Sequence, residues 1–171
     1  MLVLSKLQNT LSRILSFPDL HTAVLLTVSG ELVSFAADPV RPKDDIRVIA
    51  GLASEIWRET KEQGYGIVDS EDMDIDFRQK FGRIAVLPVD DEGHSTDDSE
   101  GGAVEGYSED RQPLMLLALN ANENTDLDEI RETGLAYARH LSKPMSRFRP
   151  YLAVKPAPLT PSALSPTPAR V

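Results

Sequence analysis

Leucine and isoleucine recur at Leu4, Leu7, Leu11 and Ile14, and this spacing predicts one stripe of an amphipathic helix that Pro18 ends. The next stretch, "HTAVLLTVSGELVSFAAD" from His21 to Asp38, reads as two strands, at residues 23–28 and 32–36, turning at Ser29-Gly30. The first of these is apolar on both faces, with Thr27 the only polar interruption. A strand with one wet face alternates, so this one requires cover on both sides. A proline-marked connection, "DPVRPKDD", then leads to a helix at about residues 44–63. Asp44 and Asp45 suit its cap and first turn, where the dipole favours negative charge. Its apolar stripe is Ile49, Leu52, Ala53, Ile56 and Trp57, and Gly64 and Gly66 stop it.

From Met73 the period changes to two. Met73, Ile75 and Phe77 alternate with Asp74, Asp76 and Arg78, which predicts a third strand, with one wet face. After Gly82, "RIAVLPV" is a fourth strand, and Pro88, which cannot donate to a ladder, marks where it leaves the sheet. "PLMLLALN" is a fifth, again apolar on both faces. Thr125 with Asp128 reads as a capping box opening a third helix, with Leu127, Ile130, Ala138 and Leu141 inward. The order is α-β-β-α-β-β-β-α. The two-faced first and fifth strands belong at the centre and the alternating second and third at the edges. The expected fold class is α/β, a three-layer α/β/α sandwich around a five-stranded antiparallel sheet.

Charge divides the chain further. Residues 90–112 hold nine acids and one arginine, a net −8 in a chain whose whole charge is −9, with no apolar period, and read as a solvated, disordered insertion. Residues 143–171 hold five basic residues, no acids and seven prolines, and read as an extended, disordered tail. The expected organisation is therefore one domain over residues 1–142, carrying the insertion at 90–112, and a tail over 143–171. Its mildly acidic body lacks the basic surface that nucleic-acid binding needs. Cysteine is absent, which removes disulfides, thiolate metal ligands, palmitoylation and prenylation. The apolar runs fall far short of the ~20 residues of a spanning helix. The opening Met-Leu-Val-Leu-Ser has no signal-peptide pattern, and Leu2 excludes myristoylation, so any membrane contact is expected to be indirect.

Candidate chemistry is sparse. The three histidines, His21, His94 and His140, are scattered and read as surface residues. Asp72, Asp74 and Asp76 share a strand face, but adjacent carboxylates that point one way repel rather than converge on a cation. "EGGAVEG" lacks the Lys-Ser/Thr ending of a phosphate loop, and no serine lies in a nucleophile elbow. No cofactor is called for, and an enzyme is not the expected reading. Trp57 fits either a core or an interface anchor. The third strand is the most informative element, because an apolar edge strand without a protecting proline invites pairing with another sheet.

Three stretches, "LLTVSGELVSFA", "GLASEIWRETKEQG" and "FGRIAVLPV", together with "LMLLALNANENTDLDEIRETGLAYARHLSKPM", give the chain a resemblance to the roadblock/LC7 superfamily. More narrowly, it resembles p14-type subunits of the Ragulator complex and their fungal EGO-complex counterparts. The resemblance implies a non-enzymatic scaffold at the cytoplasmic face of the late endosome, lysosome or vacuole, in TOR and MAPK signalling. It implies pairing with a second roadblock-domain protein through the third strand and second helix, a lipidated tethering subunit, and docking of Rag GTPases. On that basis the candidate pairing residues are Ile49, Ala53, Ile56 and Trp57 with Met73, Ile75 and Phe77. A dynein light-chain-type cargo adaptor, and a small-molecule-binding or hydrolytic domain on the same sandwich, remain as alternatives.

Overall fold

The computed structural model describes residues 4–17, 19–69, 80–90 and 112–152. Helix α1 (Leu4–Ile14) precedes the hairpin β1 (Leu20–Leu26) and β2 (Leu32–Ala37), and α2 (Lys43–Thr60) follows. A 3₁₀ turn at Lys61–Gln63 leads into β3 (Gly66–Asp69), then β4 (Arg83–Val89), β5 (Met115–Ala121) and α3 (Leu127–Met145). A second 3₁₀ turn, Ser146–Phe148, and a short helix α4 (Arg149–Leu152) complete the described chain.

The five strands form one sheet in the order β2-β1-β5-β4-β3, with every neighbouring pair antiparallel. Strand β5 is buried along its whole length and lies at the centre, and β2 is an edge, as the hydrophobic pattern requires. Helices α1 and α3 cover one face: Leu7, Leu11 and Ile14 pack with Ala23 and Leu25, and Ile130, Ala138 and Leu141 with Leu87 and Leu119. Helix α2 covers the other face, setting Ile46, Ile49, Ala53 and Trp57 against Val24, Val86, Leu116 and Ala118. The result is the expected three-layer α/β/α sandwich around a five-stranded antiparallel sheet.

The third strand of the sheet is not the alternating segment. It is Gly66–Asp69, paired to β4 from Gly66↔Val86 to Asp69↔Arg83, whereas Met73, Ile75 and Phe77 lie outside the described residues. Gly64, at φ 79°, does end the helical run. Gly66 has the opposite role. A Cβ there would lie 2.4 Å from Thr60 Oγ1 and 2.5 Å from Ile56 Cγ2, so only glycine lets β3 start directly beneath the end of α2. Pro88 pairs with Leu116 of β5 and lies beyond the end of β3, so it stays within β4, one residue from its end.

Two boundaries also move. The cap of α3 is Asp126 rather than Thr125, its carboxylate accepting from Asp128 N at 2.8 Å and Glu129 N at 3.4 Å. Replacing Asp126 with alanine is expected to lower stability by about 1 kcal/mol, read as a shift in the urea midpoint at unchanged slope. The folded chain, moreover, does not end at residue 142. Helix α3 runs through Pro144, because Met145 is buried and Phe148 packs on the same cluster, and helical structure extends to Leu152. Proline density misplaced that limit. Asp90, the residue that opens the acidic segment, pairs with Arg149 of α4 at 2.9 Å. Residues 91–111 and 153–171 lie outside the described residues.

Candidate assembly surface and the polar network beside it

Four residues expected to meet a partner are in the chain's own core. Ile49 and Ala53 have no exposed surface, and Ile56 and Trp57 retain 7% and 3%. Their stripe faces the sheet, so any part of α2 open to a partner lies elsewhere on its circumference.

Two glycine contacts orient that circumference. A Cβ on Gly30, in the β1–β2 turn, would meet Ser54, while one on Gly66 of β3 would meet Ile56 and Thr60. Ser54 therefore marks the flank nearer the β1–β2 turn, and Ile56 and Thr60 mark the flank above β3. At 100° per residue, Leu52, Glu59, Val48 and Glu55 continue outward from the β3 flank, and Arg47, Arg58 and Gly51 from the Ser54 flank. Val48 is 42% exposed and Leu52 half-buried. Gly51 is exposed, and a Cβ there would meet nothing within 4 Å. The outward flank next to β3 is thus apolar at Leu52 and Val48 and acidic at its C-terminal end, while Gly51, on the outermost line of the helix between Val48 and Arg47, is bare of side chain.

The two sheet edges differ. Strand β2 carries an irregularity opposite Leu25 and Leu26, where the register skips Val33, and α1 packs against it. Bulges of this kind discourage further pairing. Strand β3 pairs regularly with β4 and has no second strand partner among the described residues. Its end is held by Arg83, which bonds Asp69 at 2.8 Å and the Thr125 carbonyl. Tyr65, just before it, lies under the Arg131 guanidinium at 4.4 Å.

At the N-terminal end of α2 a polar network replaces a conventional cap. Pro42 at the N-cap makes no side-chain bond. Arg41 instead reaches into the end of the sheet, donating from one terminal nitrogen to His21 Nδ1 at 2.7 Å, Asn120 Oδ1 at 2.6 Å and Thr22 Oγ1 at 3.2 Å. Its other terminal nitrogen donates to the Lys80 carbonyl. Buried Asn120 donates in turn to the Phe81 carbonyl and, at 3.0 Å, to that of Arg83. Asp45, in the first turn of α2 and 5% exposed, takes Lys80 Nζ at 2.7 Å and lies 4.0 Å from Arg41 Nε.

A guanidinium has no lone pair to offer, so His21 Nδ1 is the acceptor and the ring proton is on Nε2. Nε2 donates to Asn122 Oδ1 at 2.8 Å, and Asn122 Nδ2 donates to Asp19 Oδ1 at 2.8 Å. His21 is therefore a wired, half-buried residue, not a free surface histidine. Burial is the main reason its pKa lies below the usual 6.5, and the Arg41 charge adds to the depression against the opposing bonds to Asn122 and Asn120 and the charge of Asp38. Burial likewise lowers Arg41, partly offset by Asp45 and Asp38. His140 is exposed, and His94 lies outside the described residues. Among the described residues no group of three His, Asp or Glu side chains is placed to hold a metal ion.

Known structures of similar architecture exist. A roadblock/LC7 domain from Streptomyces avermitilis is 17% identical and aligns over 86% of this chain and 98% of its own, with a TM-score of 0.49. MglB in a tetrameric arrangement is 14% identical over 84% of this chain and 90% of its own, with a TM-score of 0.52. The gliding protein MglB from Thermus thermophilus is 15% identical over 81% and 87%, with a TM-score of 0.49. Identities this low speak to the fold alone. No protein-family model and no curated protein sequence matches the chain.

Proposed function

We propose that this chain is a non-enzymatic scaffold subunit that pairs with a second roadblock-domain protein through the β3 edge and the adjoining flank of α2. In this reading the pair docks Rag GTPases in a Ragulator- or EGO-type complex on the cytoplasmic face of the late endosome, lysosome or vacuole. The observation that carries the pairing is the flank of α2 beside β3. Val48 and Leu52 there leave apolar surface outside the core, and Gly51, on the outermost line of the helix next to Val48, leaves room for a helix to approach closely. A glycine in an exposed helix interior costs about 1 kcal/mol relative to alanine, so it needs a reason in packing or function, and contact with a partner supplies one.

The tetrameric arrangement of MglB is a further support for assembly as the use of this fold. The Rag GTPases and the lipidated tether follow from the Ragulator resemblance of the quoted motifs. A tether is consistent with a chain in which no described helix is long and apolar enough to cross a membrane.

Gly51→Gln tests the reading without risking the fold, since the side chain points into open space and glutamine is the better helix former. The variant is expected to melt no lower than the native chain, yet to lose its roadblock partner and the GTPases together on affinity purification from the native cell. Retention of every partner by a folded Gly51→Gln protein would remove α2 from the interface. Recovery of dynein intermediate chain, in place of Rag GTPases, would move the native protein to the other class of adaptor.

A further inference from the structure

We propose that His21 and Arg41 form a proton-sensitive latch on the N-terminus of α2, closed while the imidazole is neutral and opened by acid. The contact can exist in one protonation state only. Arg41 donates to a ring nitrogen 2.7 Å away, and a proton on that nitrogen replaces an acceptor by a second cation pointing at the first. Arg41 is also the residue that ties the start of α2 to the sheet. It spans from β1 and β5 to the Lys80 carbonyl, one residue before an N-cap that has no side-chain bond of its own.

The charges around His21 favour that direction. Arg41 faces it from the β2–α2 connection together with Asp38, whose backbone N–H donates to the His21 carbonyl. Asn120 and Asn122 face it from β5, and Asp19 is reached only through the Asn122 amide. Asp45 of α2 and Lys80 lie one step further, paired with each other. No carboxylate makes a direct bond to the ring, so a charged imidazole faces the Arg41 guanidinium with no anion bonded to either ring nitrogen.

The folded-state pKa is depressed, so the neutral ring contributes stability that is fully present above 6.5, the ordinary histidine value. That contribution is lost as pH falls below 6.5 and through the folded-state pKa. Opening the latch loosens the turns of α2 that carry Asp44 and Val48. Its consequence for partner binding rests on the assembly proposed above, whereas the latch itself does not.

Hydrogen exchange on the full chain tests it, comparing the native protein with His21→Asn at pH 7.5 and pH 5.5 after correction for intrinsic rates. Asparagine keeps an acceptor near Nδ1 and cannot titrate. Amides in the first turns of α2 are expected to lose protection in the native chain by roughly tenfold per pH unit at the steepest, the limit for one coupled proton, and by far less in His21→Asn. Ring ¹⁵N shifts should report the proton on Nε2 at pH 7.5. Equal loss in both proteins, uniform loss across every element, or a proton on Nδ1 at pH 7.5 would each overturn the latch. Gly51→Gln should leave the pH dependence of that exchange unchanged, so failure of the assembly reading is distinguishable from failure of the latch.

Discussion

Replacing Gly82 with alanine is expected to be among the most damaging single-methyl changes in this chain, lowering stability by about 2–5 kcal/mol. Two causes add. Gly82 has φ 52°, in the left-handed region where a Cβ costs about 1–2 kcal/mol. The same Cβ would lie 2.3 Å from the Ala121 carbonyl oxygen, 2.9 Å from Glu123 N and 3.0 Å from Asn122 C. All three are backbone atoms at the end of the central strand, where Ala121 is paired to both Leu20 and Arg83. No side chain can swing aside to relieve the clash. Chemical denaturation at unchanged slope is the measurement. Gly82→Asn separates the causes, because asparagine tolerates positive φ but keeps the Cβ, and it should recover only the smaller share. Full recovery would mean that the contact with β5 relaxes freely.

Why some of this was legible in the sequence and some was not follows from the range of the forces. The α1 stripe of Leu7, Leu11 and Ile14, and the two-faced strands β1 and β5, are local records of burial, and each packs as its period implies. Strand β3 left no such record. It has four residues, begins with a glycine and shows no alternation of burial, so a neighbouring segment with a clearer period-two pattern stood out instead. The candidate pairing residues on α2 fell on the core-facing stripe for a related reason. Hydrophobic periodicity reports which face of α2 is buried, and Ile49, Ala53, Ile56 and Trp57 are buried by the chain's own sheet. The outward flank is marked only by the exceptions, an apolar Val48 off the stripe and a mid-helix Gly51.

The polar network was illegible for a third reason. Arg41 stands 20 positions from His21 and 79 from Asn120, and only the β1–β5 pairing, which sets Thr22 opposite Asn120, brings the three together. No spacing rule connects residues whose distance along the chain is set by the insertion between β4 and β5. A half-buried histidine in such a network looks in sequence like any histidine beside a turn.

Asn120→Leu tests how much of the fold this network holds, and the expected loss is about 3–5 kcal/mol. Leucine branches where asparagine does but is bulkier, and β5 is otherwise apolar, so packing alone predicts a loss of about 1–3 kcal/mol. The polar account predicts a larger one. Asn120 is fully buried, its amide nitrogen serves the Phe81 and Arg83 carbonyls, and its oxygen takes a charged donor from Arg41 at 2.6 Å. Removing it takes one donor from each of two carbonyls and the nearest of its side-chain acceptors from a part-buried guanidinium, at about 1–3 kcal/mol for each bond lost in the buried network. Arg41→Leu alone loses part of the same set, so the two substitutions should not add. A double-mutant cycle by urea denaturation should show a coupling of about 1–3 kcal/mol between them, as expected for one connected network. Additive losses would mean that Asn120 and Arg41 support the sheet end independently, and the tie from α2 to the central strand would then be no stronger than its separate bonds.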